Sequence, residues 1–292
     1  MAYDKYFPGW VLGVVVASSV FVQSVNVSSS VTKGRVLAHA AGCISCHTDT
    51  ENNGQLLAGG KRFKTPFGTF VAPNISPDKK HGIGSWSNRD FNRAMTKGVS
   101  PENSHYFPIF PYTSFTLMDA DDIKSIKEYI FSLPAIPKPS ETHKLLFPFN
   151  FRSIQYLWKL LYFSHGPYKF DSKKTQTWNR GAYLSRGVVH CQECHTRRTI
   201  LGGLKIQFGY AGVSENTSVG ASYIPNITSH PSRGIGSWSL QQLVNYLESG
   251  EDPTGDFAGG SMAEVIEKGT SKLSPEDRNA IAVFIKSIRP LP

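Results

Sequence analysis

The chain has only four cysteines in 292 residues, and two short motifs use all of them. No thiol remains for a structural disulfide, a nucleophile or a separate metal site. There is no long run of Lys or Arg of the kind that tracks a nucleic-acid backbone, and no nucleotide-binding fingerprint. Methionine is scarce too. Besides Met1 there are only Met95, Met118 and Met262, so candidates for a thioether ligand are few. The longest apolar run, Trp10 to Val22, is softened by Ser18 and Ser19 and falls short of the ~20 residues of a spanning helix.

What is present is the spacing Cys43-Ile44-Ser45-Cys46-His47 and its second copy, Cys191-Gln192-Glu193-Cys194-His195. Two cysteines flanking two residues, with histidine directly after, is the attachment spacing of a c-type haem. Both thiols add across the vinyl groups of one porphyrin, and the adjoining imidazole ligates the iron from below. Two covalent haems are therefore expected, held by Cys43, Cys46, Cys191 and Cys194, with His47 and His195 as proximal ligands. A four-cysteine zinc site would not explain a histidine after each pair. A thioredoxin-like pair would occur once, near a βαβ pattern that is not visible here.

The length suits two domains, and 40% hydrophobic content suffices for globular cores, while 26 Gly and 18 Pro indicate a loop-rich protein. The formal charge of +9 would be reduced by four haem propionates, and a basic surface suits an acidic redox partner or anionic lipid. At the amino terminus, Lys5, the apolar run and a serine-rich tail through Ser30 have the layout of a secretory signal. Residues 1–30 are read as a signal peptide or membrane anchor. Export places the folded body in the periplasm, anchored to the inner membrane if the segment is retained.

An internal repeat sets the architecture. Pro73-Asn74-Ile75-Ser76 recurs as Pro225-Asn226-Ile227-Thr228, and Gly82-Ile83-Gly84-Ser85-Trp86-Ser87 recurs intact from Gly234 to Ser239. Both recur at an offset of 152, close to the 148 between the two haem motifs. The expectation is an all-α protein with two copies of one fold, at 31–137 and 176–292, joined by a Pro- and aromatic-rich linker at 138–175. In each copy a first helix, Gly34 to Cys43 or Gly181 to Cys191, delivers the cysteines. Ser87 and Ser239 are read as N-caps of helices closed by Gly98 and Gly250. The last helices begin at Asp119–Asp122 and at Ser274-Pro275, and they bury Ile123, Ile126 and Ile130 or Ile281, Phe284 and Ile285. The stretch Phe149–Phe163 is read as one aromatic helix serving as mortar between the copies, with a docking or membrane face as the alternative.

The distal iron ligands follow from the few methionines. Met262 is the only candidate in the second copy. In the first copy the repeat offset lands on Phe110, which cannot ligate. Met118 is chosen there, with Met95, His105 and His81 as alternatives.

These residues resemble the cytochrome c subunits of membrane-associated periplasmic dehydrogenases of the alcohol, aldehyde and gluconate types, and their dihaem relatives. The resemblance runs from Gly42–His47 through Thr65-Pro66-Phe67-Gly68, Pro73–Ile75, Gly82–Trp86 and Phe107–Tyr112. It continues in Gly181–Leu184, Cys191–Arg197, Met262 and Ser274–Lys286. It implies two tandem class I-type cytochrome c domains, in which the loops carrying Asn74, Trp86, Asn226 and Trp238 line the haems. It further implies electron transfer from a dehydrogenase subunit to a cytochrome, a quinone or a terminal oxidase, in a protein that is not itself an enzyme. The alternatives are a catalytic dihaem enzyme such as a peroxidase, and a cytochrome subunit of a terminal oxidase complex. Many relatives carry three haem motifs where this chain has two, and many have Met where Phe110 stands.

Overall fold

A computed structural model describes residues 1, 28–213 and 223–292. The apolar run from Trp10 to Val22 lies outside the described residues. In chain order the helices are α1 (Ser29–Ala40), α2 (Cys43–His47), α3 (Asn88–Lys97), α4 (Tyr112–Phe115), α5 (Ala120–Phe131) and α6 (Ile154–Tyr162). There follow α7 (Gln176–Tyr183), α8 (Gln192–His195), α9 (Leu240–Ser249), α10 (Gly260–Lys268) and α11 (Pro275–Lys286). Among the described residues, no helix is long and apolar enough to cross a membrane.

Two helix crossings organise the core. α1 packs on α5, and α7 packs on α11. At each crossing a glycine lets the backbones meet. A Cβ on Gly34 would lie 1.8 Å from the Ser125 carbonyl oxygen, and one on Gly181 would lie 1.9 Å from that of Ala280. The apolar stripes beside these contacts are buried as their spacing predicts, with Ile123, Ile126 and Ile130 on α5 and Ile281, Phe284 and Ile285 on α11. Burying each such side chain contributes about 2 kcal/mol.

The caps follow the sequence closely. Ser87 accepts from the Asp90 N–H at 3.1 Å, and the Asp90 carboxylate accepts from the Ser87 N–H at 3.0 Å. Ser239 and Gln242 repeat this arrangement at 3.1 and 2.8 Å. Gly98 and Gly250 close their helices with φ of +59° and +83°.

The chain departs from the expectation in three places. It is helix-rich, not purely α. β1 (Arg62–Thr65), β2 (Gly68–Val71) and β3 (Lys144–Leu145) form an antiparallel sheet in the order β1-β2-β3. Gly68, at φ +117°, supplies the turn conformation that an L side chain resists, and β3 pins the linker back onto β2. Second, the helix expected from Gly181 to Cys191 starts earlier, and past Tyr183 it widens into a π-turn over Leu184–Val188. There Gly187 faces Leu117, whose Cβ would lie 3.3 Å from an added methyl.

Third, α6 is shorter than expected and only one face of it is mortar. Its polar residues Gln155 and Lys159 are buried, while Leu157, Leu160 and Leu161 are exposed. The Lys159 ammonium donates to the Lys97 and Gly98 carbonyls, at 2.7 Å each, and lies 4.6 Å over the Tyr112 ring. Burial pushes its pKa down to about 8.

The helix crossings yield a direct test. Gly34→Ala should destabilise the fold by about 3 kcal/mol, because the new methyl meets backbone oxygen and not a movable side chain. Urea unfolding followed by circular dichroism would measure the loss.

Candidate haem-attachment sites

Each cysteine motif forms a short helix, α2 directly after α1 and α8 after the π-turn that continues α7. Gly42, at φ +74°, turns the chain out of α1 and into α2. Cys43 is buried and Cys191 half-buried, and desolvation pushes both thiols up to about 12. Cys46 and Cys194 are exposed, and none of the four forms a disulfide.

The histidines are fixed in matching ways. His47 Nδ1 lies 2.8 Å from the Pro73 carbonyl oxygen, and His195 Nδ1 lies 2.8 Å from that of Pro225. A carbonyl only accepts, so Nδ1 must carry the proton and Nε2 keeps its lone pair for a metal. Desolvation lowers both imidazole pKa values, which favours that neutral form. The adjoining backbone repeats as well. Gly59 N–H donates to the His47 carbonyl at 2.8 Å, and Gly212 N–H to the His195 carbonyl at 2.9 Å.

Asn74 and Asn226 hold the loops that supply those proline carbonyls. Asn74 Nδ2 donates to the Ile136 and Lys138 carbonyls at 2.8 and 2.9 Å, and its Oδ1 accepts from the Ser76 N–H at 2.8 Å. Asn226 Nδ2 donates to the Leu291 carbonyl at 2.7 Å, and its Oδ1 accepts from the Thr228 N–H at 2.8 Å. Their side chains are thus committed to backbone. Trp86 and Trp238 are half-buried against the core, the latter edge-on to Tyr246 at 5.3 Å.

Met118 is buried, beside the π-turn at Gly187. Met262 is half-buried on α10, and Met95 is buried on α3. His105 Nδ1 lies 3.0 Å from the Lys159 ammonium, while His39 Nδ1 lies 2.9 Å from the Lys268 carbonyl.

Each motif is tied to residues of the other half of the chain. Desolvation by the surrounding protein raises the pKa of Cys46. The His190 ring lies 5.6 Å from that of Phe115. Glu193, between the second pair of cysteines, accepts from Thr113 and Ser114 at 2.7 and 3.0 Å and is paired with Arg198 at 2.8 Å. Reciprocally, Lys61 bridges the Ser45 carbonyl at 3.0 Å and the Glu264 carboxylate at 2.7 Å. Sequence reading missed these contacts, although an acid inside a cysteine motif and a lysine shortly after one were the available signals.

The residues fit covalent haem and not a zinc cage. Among the described residues, no three His, Cys, Asp or Glu side chains converge as an ion site. Each half instead presents two thiols and one imidazole with its Nε2 uncommitted. Around the second motif, Tyr210 Oη and Arg197 Nε are buried without a partner, donors suited to a propionate.

No family model matches the chain. It is 41% identical over 267 residues to a diheme cytochrome c-type protein of Cereibacter sphaeroides, covering 90% of this chain and 87% of that one. It is 37% identical over 261 residues to the fructose dehydrogenase cytochrome subunit of Gluconobacter japonicus, covering 89% of this chain. To the cytochrome c subunit of the quinone alcohol dehydrogenase of Gluconobacter oxydans it is 32% identical over 271 residues. The chain spans only 52% and 55% of those two longer relatives.

The fastening of the proline loops can be tested. Asn74→Ala should cost about 2 kcal/mol in urea unfolding, because two half-buried carbonyls and the Ser76 N–H lose their partner. An unchanged midpoint would show that the loop is held by other means.

The paired cysteine motifs, their identically fastened histidines and a 41% identity spanning nine-tenths of the chain place it, with its two covalently bound haem c groups, in the family of dihaem c-type cytochromes and dehydrogenase cytochrome c subunits.

Proposed function

We propose that the chain is a periplasmic electron-transfer subunit with two tandem class I-type cytochrome c domains. These are residues 31–137 and 176–292, joined by 138–175 and preceded by a signal or anchor at 1–30. Cys43 and Cys46 hold one haem and Cys191 and Cys194 the other, with His47 and His195 as proximal ligands and Met118 and Met262 as distal ligands. The observation that carries this reading is the duplicated histidine, each fixed at 2.8 Å to a proline carbonyl with its ligating nitrogen uncommitted.

Bound haem supplies a one-electron ferric/ferrous couple, and the protein's contribution is position and shielding. The Pro73 and Pro225 carbonyls fix the tautomer and orientation of each imidazole. The asparagine-fastened loops keep those carbonyls in place. The reciprocal Glu193 and Lys61 contacts hold each motif against residues of the other half of the chain, an arrangement suited to exchange between two redox groups and needing no substrate-reacting side chain. A dehydrogenase subunit as donor is supported by the names of the fructose and alcohol dehydrogenase relatives. The acceptor is a cytochrome, a quinone or a terminal oxidase.

A pyridine haemochrome assay on protein matured in a haem-attaching host should give two haems per chain. The double variant C191A/C194A should give one, and an unchanged count would overturn the attachment sites. Met262→Ala should remove about half of the sulfur-to-iron charge-transfer absorbance of the oxidised protein. Survival of the full band would reject that ligand.

A further inference from the structure

The linker helix α6 is amphipathic with the wrong side out. Leu157, Leu160 and Leu161 are 61%, 67% and 68% exposed, while Gln155 and Lys159 face inward. Lys159 supplies the reason. Its ammonium reaches inside to the Lys97 carbonyl at the end of α3 and to the Gly98 carbonyl, which also accepts from the Tyr106 N–H, so helical geometry turns the leucines outward.

This apolar face does not stop at the helix. Trp158 Nε1 donates to the Leu201 carbonyl at 2.9 Å, and the loop lies so close to Tyr162 that a Cβ on Gly203 would come within 2.2 Å of its ring. The tip of that loop carries Ile200, 92% exposed. On the other side, Phe67 links the loop to the linker. A Cβ on Gly202 would lie 3.7 Å from its ring, and its own ring is 4.7 Å from Phe149. Phe147, 80% exposed, continues the surface beside Phe151.

The segment that carries this face is basic. Between Glu141 and Asp171 the chain has no acidic residue, while Lys144, Arg152 and Lys169 lie on it besides the inward Lys159. Glu141 itself is paired with Arg62. The sheet register sets Lys64, Thr69 and Lys144 in one row, which places two exposed lysines at the edge of the patch. In the second loop the exposed Lys205 adds to it, while Arg198 is paired with Glu193.

From this we infer that α6, the loop at 199–203 and the segment around Phe147 form a docking face for an anionic lipid bilayer, with α6 lying in the headgroup plane. Protruding aliphatic and aromatic tips insert into a fluid interface, whereas a rigid protein partner needs matching hollows. Trp158, Tyr156 and Tyr162 supply the amphipathic rings that favour headgroup depth. The lysine rim supplies attraction to anionic headgroups and repels none of them. This inference is independent of the haem assignments.

The test is co-flotation of the full-length holoprotein with phosphatidylcholine vesicles, with and without phosphatidylglycerol. The protein should float with the anionic vesicles and do so more weakly in high salt. The variant L157S/L160S/L161S should reduce binding on the order of tenfold, with haem content and circular dichroism unchanged. K144E/K205E should weaken it further at low salt. Binding that persists in the triple serine variant would assign the lipid contact to another part of the chain and overturn the inference. So would vesicle-independent dimerisation lost in that variant by light scattering, which would make the face a contact between copies.

Discussion

Everything in this fold rests on backbone meeting backbone where α1 crosses α5 and α7 crosses α11. Gly34 and Gly181 leave no room for a side chain against the Ser125 and Ala280 carbonyls. That close approach fixes how each pair of helices packs. Each cysteine motif begins within a turn or two of the end of its long helix, so the attachment thiols inherit their position from the crossing. The loops returning from α2 and α8 then bring Pro73 and Pro225 under the histidines, and Asn74 and Asn226 tie those loops to the segments after α5 and α11.

The two halves are not independent beads. Tyr183 donates to the buried Asp122 carboxylate at 2.5 Å, and Lys33 pairs with the same group at 2.5 Å. Burial and the Asp122 hydrogen bond raise the Tyr183 pKa, so its hydroxyl remains a donor. Breaking such a bond would strand a carboxylate in a low-dielectric site, which costs more than the bond itself contributes. Together with Glu193 and Lys61, this makes the relation between the motifs part of the folded core. The consequence for electron transfer is geometric, since two redox groups held on one rigid frame need no encounter step between them.

Much of this was legible beforehand because it depends on local rules. The capping boxes at Ser87 and Ser239, the glycine terminations and the buried stripes of α5 and α11 follow from spacing alone. The repeated Pro-Asn-Ile and Gly-Ile-Gly-Ser-Trp segments marked the loops, although the asparagines act as fasteners of the backbone. The small sheet escaped notice because β1 and β2 are four residues each and β3 is two. Strands that short carry too few alternations to outweigh a helical background.

The amino-acid sequence by itself determined the haem chemistry and the doubling of the site, because attachment needs only residue types at fixed short separations. It also determined the main helices, whose hydrogen bonds and caps close within a few positions. Tertiary structure alone decided which carbonyl holds each imidazole, that each motif is tied to the other half of the chain, and that α6 turns its leucines outward. Those outcomes join residues tens to hundreds of positions apart. The inward turn of Lys159 in particular depends on carbonyls at the end of a different helix, which no pattern within residues 154–162 records.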